Sequence, residues 1–450
     1  MNKKNLYIYT IGCQMNVYDS EMFARILEPL DYIQTDSLEE ADLVIVNTCS
    51  IRKKAEEKAF SFLGRTQKLK KKNPELIVAI GGCVAQQEGR NIISRIPAVD
   101  IVFGTDAIPR LPKIVQKVET TGDRVIDVEV NSDIAETMPV VEDAENATVS
   151  KFVTIMRGCD NYCTYCIVPY VRGREKSREP DNIIQEITNL VATGTKDITL
   201  LGQNVNSYGL KESMCSFPEL LKKVSEIKGL ERIRYATSHP KDMSDELINA
   251  YREIDKLCSH VHLPVQSGSD KILKKMNRKY TREIYMNRIQ CLKEVRPDIA
   301  VTSDFIVGFP GETDEDFKET LALIEAVEFD GLYAFKYSDR PNAPAVEFEP
   351  KVPEDVARKR LEELLQLESR ISKKRNQAYV GKICQVLVEG QSKRKNEDGK
   401  NQWSGRTSSN KIVNFALDVS KESKDVVGHI FNVEIKNALE HSLWGIEKEV

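Results

Sequence analysis

At 450 residues, with 41% hydrophobic and 30% charged side chains, the chain holds enough apolar material for two or three domains with cores of their own, and reads as a soluble globular protein. A formal charge of −4 argues against an obligate nucleic-acid binder, although net charge is a sum over domains and leaves room for a local basic strip. No run approaches the ~20 apolar residues of a membrane span, and the opening "MNKKNLYIYTIGCQMN" is cationic without the apolar core of a signal peptide. The expected compartment is therefore the cytoplasm. Thiols stay reduced there, so the ten cysteines are read as ligands, nucleophiles or packing residues and not as a disulfide framework.

In chain order, residues 1–140 alternate short apolar runs ("NLYIYTIG", "ADLVIVNTC", "LIVAIGGC", "VDIVFG") with polar helical stretches. Such runs suit strands of a parallel sheet buried on both faces. The acidic stretch "VVEDAENATVS" reads as a linker. Over residues 150–375 six more strand-like runs alternate with helical stretches, from "KFVTIMRGC" to "GLYAFKYSDRP". The pattern predicts a partial (βα)6 barrel with functional residues where the strands end. A charged amphipathic helix then leads into residues 376–446, where short strands and Gly or Asn turns predict a small all-β barrel. The fold class expected is α/β with this all-β appendage.

Inside the second region, "RGCDNYCTYC" crowds Cys159, Cys163 and Cys166 into eight residues. A structural zinc site wants a fourth ligand, and none of the histidines at 239, 260, 262, 429 and 441 lies close in sequence. Three thiolates suit a cubane iron-sulfur cluster better, with one iron left open to a substrate or cofactor. In the first region Cys13, Cys49 and Cys83 each close a strand-like run, in "YTIGC", "IVNTC" and "AIGGC". Parallel strand ends converge on one sheet edge, so three cysteines far apart in sequence can share a site. The alternative is that each is a small buried hydrophobe. Asn16 and Asn47 beside them are either supporting donors or turn residues. Cys215, Cys258, Cys291 and Cys384 have no partner spacing and are read as packing residues.

The CxxxCxxC pattern after a strand resembles the radical S-adenosylmethionine superfamily. Together with "RGCDNYCTYCIVPYVRGREKSR", "GCQMNVYDSE" and "TSDFIVGFPGETDEDF", it resembles the methylthiotransferases over almost the whole chain. Gln14-Met15 stands where the aspartate-modifying branch typically has Pro-Lys and the threonylcarbamoyl-adenosine branch Lys-Val. The resemblance is thus to the branch that methylthiolates carbon 2 of N6-isopentenyladenosine next to the anticodon of tRNA. The other two substrates, threonylcarbamoyladenosine and a ribosomal-protein aspartate, are the alternatives.

That resemblance implies two [4Fe-4S] clusters, one on Cys159, Cys163 and Cys166 and an auxiliary one on Cys13, Cys49 and Cys83, with S-adenosylmethionine serving two separate chemistries. It places cofactor contacts at strand ends of the central region: Gly202 and Gln203 in "LLGQNV", Ser238 and His239 in "ATSHP", Gln266 and Ser267 in "HLPVQSGS", and Ser303 and Asp304 in "SDFIVGFPGET", where Gly308 and Gly311 suit a backbone approach to adenine. Residues 376–446 resemble the TRAM module, which is associated with RNA. Lys393, Arg394, Lys395, Lys400, Arg406 and Lys411 gather there around Trp403, a mixture fitted to phosphate contacts and base stacking. Arg172, Arg174, Lys176 and Arg178 are a second basic segment able to face phosphates, or a solvated loop. The expected partners are a tRNA anticodon stem-loop and an electron donor such as flavodoxin or ferredoxin, with no membrane, and the protein is expected to act as a monomer.

Overall fold

A computed structural model describes residues 3–50, 53–130, 148–392, 402–417 and 426–448. The first unit runs β1 (Lys4–Ile11), α1 (Gln14–Leu27), β2 (Tyr32–Gln34), β3 (Leu43–Thr48), α2 (Lys53–Lys72), β4 (Ile77–Gly82), α3 (Cys83–Glu88), α4 (Arg90–Arg95), β5 (Ile101–Phe103), α5 (Leu111–Thr121) and β6 (Val125–Asp127). Its six strands form one parallel sheet in the order β2-β1-β3-β4-β5-β6. Every residue of β3 and β4 is buried, because helices cover both faces; that is why these strands read as unbroken apolar runs. Two edge strands, β2 and β6, lie outside the four runs legible in the sequence.

The central unit runs β7 (Ser150–Thr154), β8 (Met156–Arg157), α6 (Val168–Val171), β9 (Lys176–Ser177), α7 (Pro180–Ala192), β10 (Asp197–Leu201), α8 (Phe217–Ser225), β11 (Arg232–Ala236), α9 (Asp245–Glu253), β12 (His260–His262), α10 (Asp270–Lys275), α11 (Arg282–Val295), β13 (Ala300–Val307), α12 (Asp314–Val327), β14 (Gly331–Lys336) and α13 (Glu354–Gln377). Strands β7, β10 and β11 form one parallel ladder and β12, β13 and β14 a second, joined at a parallel bridge between Ile233 and Leu257. The outcome is a half-open barrel of six strands, as the alternation of runs predicts. One face of the sheet, with Val261, Val301 and Phe305 fully buried or nearly so, packs on the helices, and the other lines the barrel interior.

The last unit, β15 (Ile383–Gln391), β16 (Trp403–Thr407), β17 (Ile412–Ala416), β18 (Ile430–Ala438) and β19 (Leu443–Glu447), closes into a small barrel in the order β15-β16-β17-β19-β18. It is fastened to the central unit by charged groups that leave water. Arg234, paired with Asp197 at 2.9 Å, donates to the Thr407 carbonyl at 2.9 Å. Arg232 donates to the carbonyls of Gln385 and Arg406. Lys411 donates to the Asp330 carbonyl at 3.0 Å. No helix among the described residues is long and apolar enough to cross a membrane.

Helix α1 joins the first two units. Its Met15, Tyr18 and Met22 pack on Leu201, Phe152 and Ala236, which face the interior of the half-barrel. Two ion pairs cross the same junction or brace it. Arg172 pairs with Asp19 at 2.8 Å, and Arg178 pairs with Glu186 at 2.8 Å, where Glu186 also accepts from the Tyr18 hydroxyl at 3.1 Å. Arg172 and Arg178, read as facing phosphates or lying in a solvated loop, are both buried in ion pairs here, which corrects both readings. Of that segment Arg174 is the side chain turned to solvent, paired with Asp160 at 3.0 Å, and Lys176 also has a partner.

Candidate iron-sulfur and cofactor site

Cys49 and Cys83 stand directly after β3 and β4, and Cys13 follows β1 after one intervening residue, so all three lie along the C-terminal edge of neighbouring strands of one parallel sheet. A paired amide lock holds the turns. Asn16 Nδ2 donates to Asn47 Oδ1 at 2.9 Å and to the Thr48 carbonyl at 3.1 Å, while Asn47 Nδ2 donates to the Asn16 carbonyl at 2.8 Å. Asn16 Oδ1 in turn lies 3.4 Å from the Cys13 sulfur. Asn16 thus accepts from Cys13 and Asn47 braces Asn16, so the two side chains hold the turns, and among the described residues neither donates to a cysteine sulfur. Gly82, with φ +89°, brings the chain against the Thr48 carbonyl, where a Cβ would come within 2.4 Å, so no side chain can precede Cys83. A hydrogen bond from Cys49 lowers the Cys13 thiol to about 6 against the opposing effect of burial, with Arg172 adding positive charge. Arg172 also lies in the field of Cys83.

Cys159, Cys163 and Cys166 sit on the loop after β8. The loop is anchored by Asn277, which donates to the Asn161 carbonyl at 3.1 Å and the Tyr162 carbonyl at 3.0 Å. Burial pushes Cys159 up to about 11 and Cys166 up to about 12, each further raised by neighbouring Cys163. Buried Arg278 places Nη1 3.5 Å from the Cys163 sulfur and 3.5 Å from the Tyr165 hydroxyl; its other partners are the Tyr280 hydroxyl at 2.8 Å and the Pro264 carbonyl at 2.6 Å. Among the described residues no carboxylate pairs with it, so its charge is directed at the cysteines. The two cysteine groups adjoin. Cys83 packs on Ile167 and Val171, and Arg340 lies within electrostatic reach of both Cys49 and Cys166. Arg278 and Arg340 were not legible as site residues, since each reaches its cysteine from a remote segment, whereas Asn16 and Asn47 were read from their places beside Cys13 and Cys49.

No group of three His, Cys, Asp or Glu among the described residues converges tightly enough for a single metal ion. A cubane asks for something else, because each thiolate binds a different iron and the sulfurs stand around the corners of the cluster. Cys163 lies in the field of both Cys159 and Cys166, Cys13 is hydrogen-bonded to Cys49, and Cys13 and Cys83 share Arg172; each group thus stands beside a buried guanidinium, and a buried cation offsets the anionic charge that three thiolates impose on a cluster.

Polar atoms next to the Cys159 loop fit a small zwitterion. Gln203 Oε1, Asn204 Oδ1, both amide atoms of Asn206 and His239 Nε2 are buried with no protein partner among the described residues. Burial holds His239 neutral, and its Nδ1 accepts from the Lys241 N–H at 3.2 Å. Gly202 leaves no room for a side chain, as a Cβ would come within 2.4 Å of Met156. Gln266, at φ +77°, donates its N–H to the Asp304 carbonyl at 2.9 Å, and Asp304 faces the barrel interior 3.4 Å from His262. One expected contact is corrected: Ser303 is fully buried on the helix side of β13, its hydroxyl between the Val265 N–H and the Leu263 carbonyl. The Ser238 hydroxyl donates to the His262 carbonyl and keeps its acceptor lone pairs.

The RNA candidates divide. Lys393, Arg394, Lys395 and Lys400 lie outside the described residues. Trp403, 7% exposed, is a core residue of the small barrel beside Val413 and Phe415, so its ring is not offered to a base. Lys411 is consumed by Asp330 at the domain junction, and Arg406 pairs with Glu389 at 3.2 Å. Cys258 is buried, and Cys215, Cys291 and Cys384 pack at the margins of cores, as packing residues do.

A three-cysteine loop at the mouth of a six-stranded parallel half-barrel defines a radical S-adenosylmethionine enzyme. The chain matches the radical SAM superfamily over residues 153–324, the uncharacterized protein family UPF0004 over residues 5–104 and the TRAM domain over residues 377–446. It is 52% identical to the tRNA-2-methylthio-N(6)-dimethylallyladenosine synthase of Desulfosudis oleivorans, over 98% of this chain and 96% of that one. It is 48% identical to the synthase of the same name from Syntrophus aciditrophicus, over 99% and 95%. Among solved structures, the radical S-adenosylmethionine methyltransferase TsrM of Kitasatospora setae, with cobalamin and a [4Fe-4S] cluster bound, shares the fold at 14% identity and a TM-score of 0.54, over 76% of this chain and 74% of that one. The chain belongs to the tRNA-2-methylthio-N(6)-dimethylallyladenosine synthase family of radical SAM methylthiotransferases.

Proposed function

We propose that the protein methylthiolates carbon 2 of N6-isopentenyladenosine next to the anticodon of tRNA, with one [4Fe-4S] cluster on Cys159, Cys163 and Cys166 and a second on Cys13, Cys49 and Cys83. The observation that carries the reading is the adjacency of two cysteine triads from different domains, with Arg340 in reach of both. An aromatic C–H bond that no side-chain base can deprotonate has to be broken and a sulfur-bearing group delivered to the same carbon. Two facing sites let one base meet both chemistries without leaving.

When bound, the clusters and S-adenosylmethionine supply the radical and sulfur chemistry that amino-acid side chains lack. The chain supplies the geometry. Gln203, Asn206 and His239 present unsatisfied polar atoms to the cofactor, while Gly202 keeps the turn free of a side chain. Arg172 and Arg278 neutralise thiolate charge at the auxiliary and central sites, and the Asn16–Asn47 lock fixes the approach of Cys13 and Cys49. The target adenine must leave its stack to come between the triads, which an anticodon loop permits far more readily than a duplex.

In the same reading residues 1–140 carry the auxiliary cluster, 150–375 the cofactor chemistry and 376–446 the RNA, with Lys393, Arg394, Lys395 and Arg406 contacting phosphates. The protein works in the cytoplasm as a monomer and takes electrons from a flavodoxin or ferredoxin. Mass spectrometry of tRNA from a deletion strain tests the activity: isopentenyladenosine accumulates without its methylthio form, and re-expression restores it. An unchanged tRNA profile refutes it. Replacing Lys393, Arg394, Lys395 and Arg406 together with Ser flattens the salt dependence of tRNA binding, and superimposable salt slopes move the RNA elsewhere.

A further inference from the structure

The interior of the half-barrel is covered unevenly. Helix α1 packs over the β7-β10-β11 side through Met15, Tyr18 and Met22, and the small C-terminal barrel seals the beginning of β11 and β12 through Arg234 and the bond from the Ser259 N–H to the Ser408 hydroxyl at 2.8 Å. Among the described residues the inner face of β12, β13 and β14 beyond that seal is only partly covered, with Ile306 packed near Tyr165 and Tyr337. Register fixes which side chains stand on it. His262 is opposite Thr302, Asp304 is opposite Tyr333 and Ile306 is opposite Phe335, and partners in a parallel ladder share a face.

Their alternation is unlike that of the buried strands. Val301, Phe305 and Leu332 point into the helix-side core, whereas Tyr333 is 58% exposed and Phe335 36% exposed although they sit in the last strand of an internal sheet face. Large aromatics this exposed inside a barrel mark a binding surface, since a folding core would bury them. Beside them stands a polar group. His262 Nδ1 is 3.0 Å from the Thr302 hydroxyl, its Nε2 is 3.4 Å from Asp304, and its ring meets Tyr333 edge to face at 6.3 Å. The strand then leads to Tyr337 and to Arg340, which lies in reach of Cys49 and Cys166. An aromatic wall with a polar edge therefore ends where the two cysteine triads meet.

We propose that this patch is the seat of the target nucleotide: the purine stacks on Tyr333, the His262–Asp304 pair meets its polar edge or ribose, and Phe335 contacts the apolar N6 substituent. Continuity with the cysteine sites argues for this occupant, because the reacting carbon has to lie between them. A flat ring with a polar edge and a greasy substituent matches the patch in each part. The proposal deepens the tRNA-modifying reading and rests on it.

The test uses the full protein and an anticodon stem-loop RNA bearing isopentenyladenosine or plain adenosine at the target position, and a third RNA with 2-aminopurine there. Tyr333→Leu removes a stacking partner of a size that costs about 5- to 140-fold in affinity for the RNA, whereas Tyr333→Phe retains it. The 2-aminopurine emission, quenched on binding to the wild type and to Tyr333→Phe, stays bright on Tyr333→Leu. Phe335→Ala narrows the KM ratio between plain and prenylated RNA. Iron content and circular dichroism of each variant report that it has folded. Wild-type protein that leaves prenylated RNA unmodified defeats the tRNA-modifying reading itself. Active wild type with unaltered affinity and quenching in Tyr333→Leu overturns the seat alone.

Discussion

Protein freed of iron will show two classes of cysteine that differ in pH dependence. Cys13 is lowered to about 6 and Cys159 raised to about 11, and both residues are partly buried, so accessibility does not separate them. At pH 7 about nine-tenths of Cys13 is thiolate, against roughly one part in 10⁴ of Cys159. The less basic thiolate is also the weaker nucleophile. With a Brønsted slope of about 0.45, that difference in basicity returns a factor of roughly 200 to Cys159. The net advantage of Cys13 is thus on the order of 50-fold at pH 7. Because Cys13 is already saturated while Cys159 gains about tenfold per pH unit, the two rates converge near pH 9, by the same arithmetic. A brief pulse of iodoacetamide at pH 6, 7, 8 and 9, quenched and followed by peptide mass spectrometry, reads both rates in one sample. A pH-independent ratio, or Cys159 alkylated first at pH 7, would refute the role given to the Cys49 hydrogen bond and Arg172.

Three further outcomes follow from the contacts. Cys13, Cys49 and Cys83 changed together to Ala leave about four irons of roughly eight and keep cleavage of S-adenosylmethionine, while the same change at Cys159, Cys163 and Cys166 leaves about four and abolishes cleavage; iron assay with cleavage-product chromatography distinguishes these from a shared site. Arg278→Gln removes the buried charge 3.5 Å from Cys163 and shifts the central cluster to a more negative potential, read by a redox titration followed by electron paramagnetic resonance; an unshifted midpoint denies Arg278 that influence. Arg234→Met strands buried Asp197 without its partner, at a cost of about 3–5 kcal/mol, and undocks the small barrel. Limited proteolysis between α13 and β15 should then accelerate, and a digestion rate equal to wild type counts against the clasp.

What the sequence disclosed follows from how local each signal was. All six principal strands of the half-barrel are runs whose apolar character comes from burial on the helix side, and β3 and β4 are fully buried, so these were legible. Strands β2 and β6 have three residues each and lie at sheet edges, too short for a pattern to register. Trp403 was misread because its basic neighbours in sequence suggested a shared surface. The alternation of β16 was the better guide: Trp403, Gly405 and Thr407 point inward, and Ser404 and Arg406 outward. Arg278 and Lys411 owe their roles to partners 115 and 81 residues away, and no periodicity carries that information.

Arg172 belongs to the central domain, yet its charge serves Cys13 and Cys83 of the first domain, and its counter-ion Asp19 is on the first domain's α1. The Tyr18–Glu186 bond ties the same helix to the other side. An exchange of either domain for a distant relative's would therefore leave a carboxylate or a guanidinium stranded inside the seam, unless the opposite half changed with it. Recombination that cuts between these two domains is penalised at once, so the halves are inherited as a matched pair, whereas the small barrel, held largely by arginines grasping main-chain carbonyls, makes far fewer demands on the side chains of what is attached there.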